Sequence, residues 1–122
     1  VHPDGASIVW IASVTASVGA AGKALYGASK SALVAAAKGL ALEYAPKKIR
    51  FNTVSPGVVI TPMSMSSVYS KNIETLKQVE DLHPLGLGQP ADVAAAVVFL
   101  LSDEARWVTG TDLIIDGGYT SR

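Results

Sequence analysis

Three side chains that could move a proton lie between positions 13 and 30. Ser13 follows an apolar run, and Tyr26 and Lys30 lie beyond a loop rich in glycine and alanine. Because Tyr26 and Lys30 are four positions apart, a helix would place them on one face. A phenol has a reference pKa of about 10, and a nearby cation favours its ionised form. The pattern indicates a general acid or base at Tyr26, tuned by Lys30, with Ser13 donating a hydrogen bond to a carbonyl or alkoxide oxygen.

The composition excludes several classes of protein in which these three side chains could act. The 122 residues include ten basic and ten acidic side chains and no cysteine. This balance predicts one modest globular domain without a surface for nucleic acid or a charged membrane. The longest apolar run, Val93–Leu101, has nine residues and is too short to span a bilayer. Without cysteine there is no disulfide framework or cysteine metal site, and we expect a cytoplasmic protein with no metal.

Apolar runs and helical patterns alternate along the chain. We expect strands at residues 7–12, 49–55 and 111–116, long helices at 23–44 and 90–102, and a shorter helix at 72–81 within an otherwise irregular segment, 61–87. Such alternation is typical of an α/β fold with a parallel sheet, and the first strand reads as covered on both faces. Ser13 and Pro56-Gly57 then follow two strands at the carboxyl edge, where such sheets bind ligands. Gly117 and Gly118 follow the third strand and are interpreted as turn glycines.

Three motifs, in this order, resemble those of the short-chain dehydrogenase/reductase family. They are Ser13 with Tyr26-x-x-x-Lys30, then Asn52-x-x-x-Pro56-Gly57-x-x-x-Thr61, and finally Trp107 through Asp116-Gly117-Gly118. The resemblance spans essentially all 122 residues. It implies a parallel-sheet, Rossmann-like α/β fold, of which this chain would be the carboxyl-terminal half, with about three strands and flanking helices.

The resemblance implies an oxidoreductase that transfers hydride between NAD or NADP and a small alcohol or ketone. Tyr26 would give or take the substrate proton, and Ser13 would orient the substrate oxygen. Lys30 would bind the nicotinamide ribose hydroxyls and favour the phenolate. Ser17 stands where the family often has glycine, which could narrow the substrate pocket.

The same resemblance assigns residues to the cofactor. The nicotinamide pocket would be lined by Pro56 and Gly57, and the Val59 backbone and Thr61 side chain would hold the carboxamide and phosphate side. Together with Tyr26 and Lys30, these residues form the implied cofactor site. Residues 63–87 would form a substrate lid.

One part of the family pattern has no counterpart in this sequence. The glycine-rich turn that holds the cofactor pyrophosphate is missing, and Gly19-x-x-Gly22 lacks its spacing. The residue that selects NAD or NADP and the family's Asn-Asn-Ala-Gly motif are missing too. We therefore expect residues 1–122 to be the carboxyl-terminal catalytic half of an NAD(P)-binding domain whose amino-terminal half is absent. The chain alone should have little activity.

A second interpretation stays open. A Tyr-x-x-x-Lys pair by itself is usually a half-buried ring beside a solvated charge, so the chain could be an inactive fragment or pseudo-enzyme that only associates. The alanine-rich helix and the closing strand resemble surfaces through which family members form dimers or tetramers, and we expect a homo-oligomer. A serine hydrolase fits poorly, because the chain has no Gly-x-Ser-x-Gly sequence.

Overall fold

The computed structural model of the chain describes residues 5–67 and 72–122. Its elements are β1 (Ala6–Ile11), α1 (Ala24–Tyr44), β2 (Ile49–Pro56), α2 (Pro62–Ser67), α3 (Ile73–Asp81), α4 (Pro90–Leu101) and β3 (Asp112–Ile115). Short 3-10 helices occupy Val14–Ala16, Ala45–Lys47 and Asp103–Ala105. The predicted strands and helices are confirmed, with ends that differ by at most one residue. Helix α2 lies in the segment that the sequence leaves irregular.

The three strands form one parallel sheet in the order β1-β2-β3, so the predicted α/β fold is confirmed. Ala6 pairs with Ile49 at the start of β1, and Thr53 pairs with Asp112 where β3 begins. The expectation that β1 is covered on both faces is wrong, since none of its residues is fully buried. In the described part of the chain β1 has a neighbouring strand on one side only, and solvent reaches its side chains around that edge.

The core lies on both faces of β2. On one face, Ala37 and Ala41 of α1 pack against Ile49 and Phe51. The small alanine side chains let the helix approach the sheet closely, and Phe51 meets Trp10 edge-on at a centroid distance of 6.0 Å. On the other face, Ala96 and Leu100 of α4 pack against Val54, together with partly buried valine, leucine and isoleucine side chains. Burial of this apolar surface is the main force that holds the two helices on the sheet.

Buried polar groups fasten β2 to the segment before β3. The Asn52 side chain donates to the Val108 carbonyl at 3.0 Å and accepts the Thr111 N–H at 3.1 Å. Asp112 accepts hydrogen bonds from the hydroxyls of Thr53 and Ser55 at 2.7 and 2.8 Å. These contacts fix the register in which β2 and β3 end side by side. No helix among the described residues is long and apolar enough to cross a bilayer.

Candidate active site

Ser13 lies immediately beyond β1 and caps the short helix Val14–Ala16. Its backbone is extended, and its hydroxyl oxygen accepts the Thr15 N–H at 3.3 Å and the Thr15 hydroxyl at 3.0 Å. A serine hydroxyl has one donor and two acceptor positions. When Thr15 donates both of these bonds, the Ser13 proton can be donated to another group. The contacts suit a side chain that donates to a substrate oxygen.

The start of α1 is held against this turn by two contacts. Ser31 donates its hydroxyl to the Ala16 carbonyl at 3.1 Å. A Cβ atom added to Gly27 would lie 3.0 Å from the Thr15 carbonyl oxygen, which is closer than ordinary van der Waals contact, so the glycine helps the helix to lie against this turn. The first turn of α1, which carries Tyr26, is therefore fixed relative to the turn that carries Ser13.

Lys30 joins the end of β1 to the ring of Tyr26. Its ammonium donates to the Ile11 carbonyl at 3.0 Å and lies 5.7 Å from the centroid of the Tyr26 ring. An ammonium has three N–H groups, and this bond uses one of them. The Tyr26 side chain remains 47% exposed. The structure thus brings Lys30 and Tyr26 together on one helix face, as their spacing predicts, with donor groups left over for a ligand.

We call residues 56–61 the cofactor loop, after the role that the sequence predicts for them. Val59 forms a parallel bridge with Gly88, whose N–H donates to the Val58 carbonyl and whose carbonyl accepts the Ile60 N–H. The N–H and carbonyl of Val59 therefore point away from Gly88. Ser64 donates to the Val59 carbonyl at 2.6 Å, whereas the Val59 N–H has no partner within the described ranges. That N–H is available to a carbonyl of a ligand.

The two ends of the cofactor loop are fixed differently. Thr61 immediately precedes α2, and its hydroxyl accepts the Ser64 N–H at 3.1 Å. At the other end, Gly57 follows Pro56 and donates its N–H to the Ile115 carbonyl at 2.9 Å. A Cβ atom on Gly57 would lie 3.0 Å from Asp116 and from the His83 ring, so a larger residue would displace the loop from β3.

Comparison with known proteins identifies the family. A family model described as enoyl-(acyl carrier protein) reductase matches residues 1–120. The chain belongs to the short-chain dehydrogenase/reductase family. It is 43% identical over 119 residues to cyclohexanol dehydrogenase of Acinetobacter sp. (strain SE19), an alignment that covers 97% of this chain and 45% of that protein.

Solved structures of other short-chain dehydrogenases/reductases have the same fold. A short chain dehydrogenase family protein from Francisella tularensis subsp. tularensis SCHU S4 matches with a TM-score of 0.91 and 38% identity, over 98% of this chain and 52% of that chain. ElxO with NADP bound and 4-hydroxyisoleucine dehydrogenase complexed with NADH match with TM-scores of 0.86 and 0.88. Both are 36% identical over 95% of this chain and 47% of the other. The cofactor class expected from the sequence, NAD or NADP, agrees with the molecules bound in these two structures.

The chain spans about half the length of the relatives that it matches. The family assignment therefore applies to the residues present, which carry the serine, tyrosine and lysine motif. The segment expected to form a substrate lid, 63–87, includes residues 68–71, which lie outside the described residues.

Two residues near the site are not singled out by the family motifs. The Lys23 ammonium lies 5.8 Å from the Tyr26 ring centroid, so two cations flank that ring. His83, which the sequence places only in a loop, contacts the cofactor loop through its ring. Lys23 could have been found from its spacing of three to Tyr26, which puts it on the same helix face. The contact of His83 carries no local signal, because its partner Val58 is 25 positions away.

A cleft of about 420 Å³ borders the turn that follows Ser13. Its lining includes Ser17, where the family often has glycine, together with Gly27 and Lys23 of the first turn of α1. Within the described ranges, no group of three or more His, Cys, Asp or Glu side chains could hold a metal ion.

Proposed function

We propose that this chain supplies the catalytic end of an NAD(P)-dependent oxidoreductase that acts on a small alcohol or ketone. The observation that carries the proposal is the placement of the Lys30 ammonium between the Ile11 carbonyl and the Tyr26 ring, beside the turn that holds Ser13. The names of the relatives support the same class of reaction. The bound nicotinamide ring would supply or accept the hydride.

Tyr26 is the proposed acid and base. The hydroxyl of this half-exposed side chain would donate a proton to the substrate oxygen during reduction and take it back during oxidation. Lys30 would favour the ionised phenol through its positive charge. Ser13 would donate its free proton to the same substrate oxygen, which would hold the reacting carbonyl at a fixed distance from Tyr26.

The residues present fit a nicotinamide nucleotide. Lys30 retains two N–H groups that could bind ribose hydroxyls, and the Val59 N–H could bind the carboxamide oxygen. Pro56 and Gly57 would line the same pocket at the end of β2, and the Thr61 hydroxyl would face the phosphate side. Each of these groups is a donor or a close-packed backbone, which is the chemistry that an anionic nucleotide needs.

We further propose that residues 1–122 are the carboxyl-terminal half of the functional domain. Nothing in their sequence resembles the glycine-rich turn that would hold the cofactor pyrophosphate. The remaining half would come from another part of the same protein. The cytoplasmic location suggested by the absence of cysteine stays a prediction.

A second candidate function is that of an inactive module whose only role is to associate with further copies of the chain. Leu25 and Leu42 on α1 are 88% and 80% exposed, which is unusual for large apolar side chains on one helix. These two exposed side chains, one near each end of α1, favour a homo-oligomer, either as the sole function of the chain or as part of the enzyme. A folded, oligomeric protein that binds no nicotinamide cofactor would support the module alone.

The decisive experiment uses the full protein that contains this chain. Deuterium transfer from labelled NADH or NADPH to a panel of ketones would be measured, beginning with cyclohexanone because one relative is a cyclohexanol dehydrogenase. Tyr26→Phe keeps the ring and removes the proton donor, so we expect turnover to fall by about 100-fold or more while cofactor affinity stays within about twofold. Undiminished turnover in this variant would refute the assignment.

Two further variants separate the roles of the neighbouring side chains. Lys30→Ala should weaken cofactor binding and lower turnover together, because the charge and the ribose contact are both removed. Ser13→Ala should lower turnover with a smaller effect on cofactor affinity, because only the substrate oxygen loses a donor.

A further inference from the structure

His83 is the most buried side chain with a titratable ring in the described part of the chain. It lies just after α3 and is 3% exposed. Its Nε2 atom is 3.2 Å from the Val58 N–H, and its Nδ1 atom is 2.7 Å from the Val79 carbonyl oxygen. The ring also stacks on Tyr119, with centroids 4.9 Å apart and planes inclined by 29°. One side chain thus connects the end of α3, the cofactor loop and the carboxyl-terminal segment.

The partners of the ring show which of its nitrogens donates and which accepts a hydrogen bond. A backbone N–H can only donate, so Nε2 must accept from Val58 and cannot carry a hydrogen. A carbonyl oxygen can only accept, so Nδ1 must carry the hydrogen and donate it to Val79. With Nδ1 donating and Nε2 accepting, both ring nitrogens of His83 are used in hydrogen bonds. Such a residue holds its two partners at a fixed distance from each other.

The partner of Nε2, Val58, lies in the middle of the cofactor loop. Val58 stands between Gly57, where an added Cβ atom would lie 3.0 Å from Asp116, and Val59, whose N–H is available to a ligand. The Val58 carbonyl is held from the other side by the Gly88 N–H at 3.0 Å. The peptide groups on both sides of Val58 are thus held, one by Gly88 and the other by His83.

We propose that His83 is a positioning residue for the nicotinamide cofactor. Its Nε2 atom holds the peptide group between Gly57 and Val58, which adjoins the peptide group whose N–H, that of Val59, would meet the carboxamide. The inference rests on the proposed function, because it needs the cofactor at residues 56–61. His83 touches neither cofactor nor substrate, and its effect is on cofactor affinity more than on the chemical step.

Three substitutions in the full protein that contains this chain separate the two hydrogen bonds. In His83→Gln the amide group reaches the position of Nε2 and can accept the Val58 N–H. In His83→Asn the shorter amide reaches the position of Nδ1 and keeps only the Val79 bond. His83→Phe keeps the ring that stacks on Tyr119 and removes both bonds. Asn and Gln are both polar amides, so they form the matched pair.

Cofactor dissociation constants and turnover would be measured for each variant. We expect His83→Asn and His83→Phe to weaken NAD(P)H binding by about five- to tenfold, and His83→Gln to stay within about twofold of the wild type. Turnover at saturating cofactor should change by less than about threefold in all three. If His83 had a purely structural role, His83→Asn and His83→Gln would both lower the free energy of unfolding. The affinity for NAD(P)H would then not be higher in His83→Gln than in His83→Asn.

The outcomes distinguish this inference from the proposed function. If the wild-type protein binds neither NADH nor NADPH, the proposed function fails. If it binds cofactor and the Asn and Gln variants have equal affinities, the positioning role of His83 is wrong. Amide hydrogen exchange of Val58 in the cofactor-free protein gives an independent check. We expect the Val58 N–H to exchange faster in His83→Asn than in His83→Gln. Equal exchange rates would contradict the inference, and this comparison holds even if His83→Phe fails to fold.

Discussion

At the scale of single residues, Ser13 and Lys30 are each oriented by a neighbour that does not itself react. Thr15 fills the acceptor positions of Ser13, and the Ile11 carbonyl holds one N–H of Lys30. A side chain that is held in this way loses little rotational entropy when a ligand binds. The group left free on each residue is the one that the proposed chemistry needs: a hydroxyl proton on Ser13 and two N–H groups on Lys30.

Asp116, which directly follows β3, makes the free energy of unfolding depend on pH. Burial alone would raise the pKa of its carboxyl, but hydrogen bonds from the Thr120 hydroxyl and N–H and from the Gly118 N–H outweigh burial. The pKa is therefore lowered from its ordinary value of 3.8. A carboxyl with a depressed pKa stabilises the folded state above the ordinary value, and this contribution is lost as the pH falls through the folded pKa.

We predict that the free energy of unfolding decreases more steeply in the wild type than in Asp116→Asn as the pH is lowered from about 5 to 3. Urea unfolding at a series of pH values measures both slopes. Glu43→Gln removes a carboxyl from the exposed face of α1 and serves as the control. Parallel pH profiles for the wild type and Asp116→Asn would contradict the prediction.

The site could be predicted from sequence only where its parts are close in the chain. Tyr26 and Lys30 share one helix face, and Ser13 precedes that helix by one loop, so their spacing alone brings them together. Packing decides which neighbours orient these side chains. No sequence pattern predicts that the Ile11 carbonyl accepts a hydrogen bond from Lys30. His83 is the extreme case, because its contacts with Val58 and Tyr119 join three separate segments.

At the scale of elements, the long helices and the strands follow from their apolar patterns. Helix α2 does not, because Pro62–Ser67 is six residues long and rich in serine. It forms where the Thr61 hydroxyl accepts the Ser64 N–H, a local cap that a hydrophobic period cannot reveal. The turns Gly117 and Gly118 were predicted from residue type, and both have positive φ angles, 59° and 91°.

Arg50 secures the end of α4 to the sheet. Its guanidinium, on β2, donates to the Leu100 carbonyl at 2.8 Å, the Ser102 carbonyl at 3.1 Å and the Val108 carbonyl at 3.2 Å. The last carbonyls of a helix lack partners within the helix, and the charge of an arginine is favourable there. A planar guanidinium can satisfy several carbonyls at once, which a lysine ammonium cannot do with the same geometry.

We predict that Arg50→Ala lowers the free energy of unfolding by about 2 kcal/mol and Arg50→Lys by about 1 kcal/mol. Urea denaturation at constant pH measures both values. Lys77→Ala, on the exposed side of α3, is the control for loss of a positive charge. A lysine variant as stable as the wild type would show that charge, and not the three hydrogen bonds, is what matters.

At the scale of the whole molecule, the described residues form a three-stranded sheet whose two edges are the strands β1 and β3. β2 is enclosed by its neighbours, whereas β1 and β3 each pair on one side only. Unpaired edge strands can pair with further strands, and a chain that spans about half of its relatives is expected to offer such an edge. Large apolar side chains are also exposed away from the edges, among them Trp107 at 95% and Leu25 at 88%.

We predict that the 122-residue chain on its own associates with itself through α1. Leu25 and Leu42 are the most exposed large apolar side chains of that helix, and covering them with a second copy would remove apolar surface from water. Light scattering should give a mass of at least twice 12.6 kDa at high concentration. Leu25→Lys with Leu42→Lys should restore the monomer mass, whereas Ile73→Lys, an equally exposed position on α3, should not. If the double variant stays associated, the contact runs along β1 or β3 instead, and a wild-type chain that is monomeric at every concentration contradicts the prediction altogether.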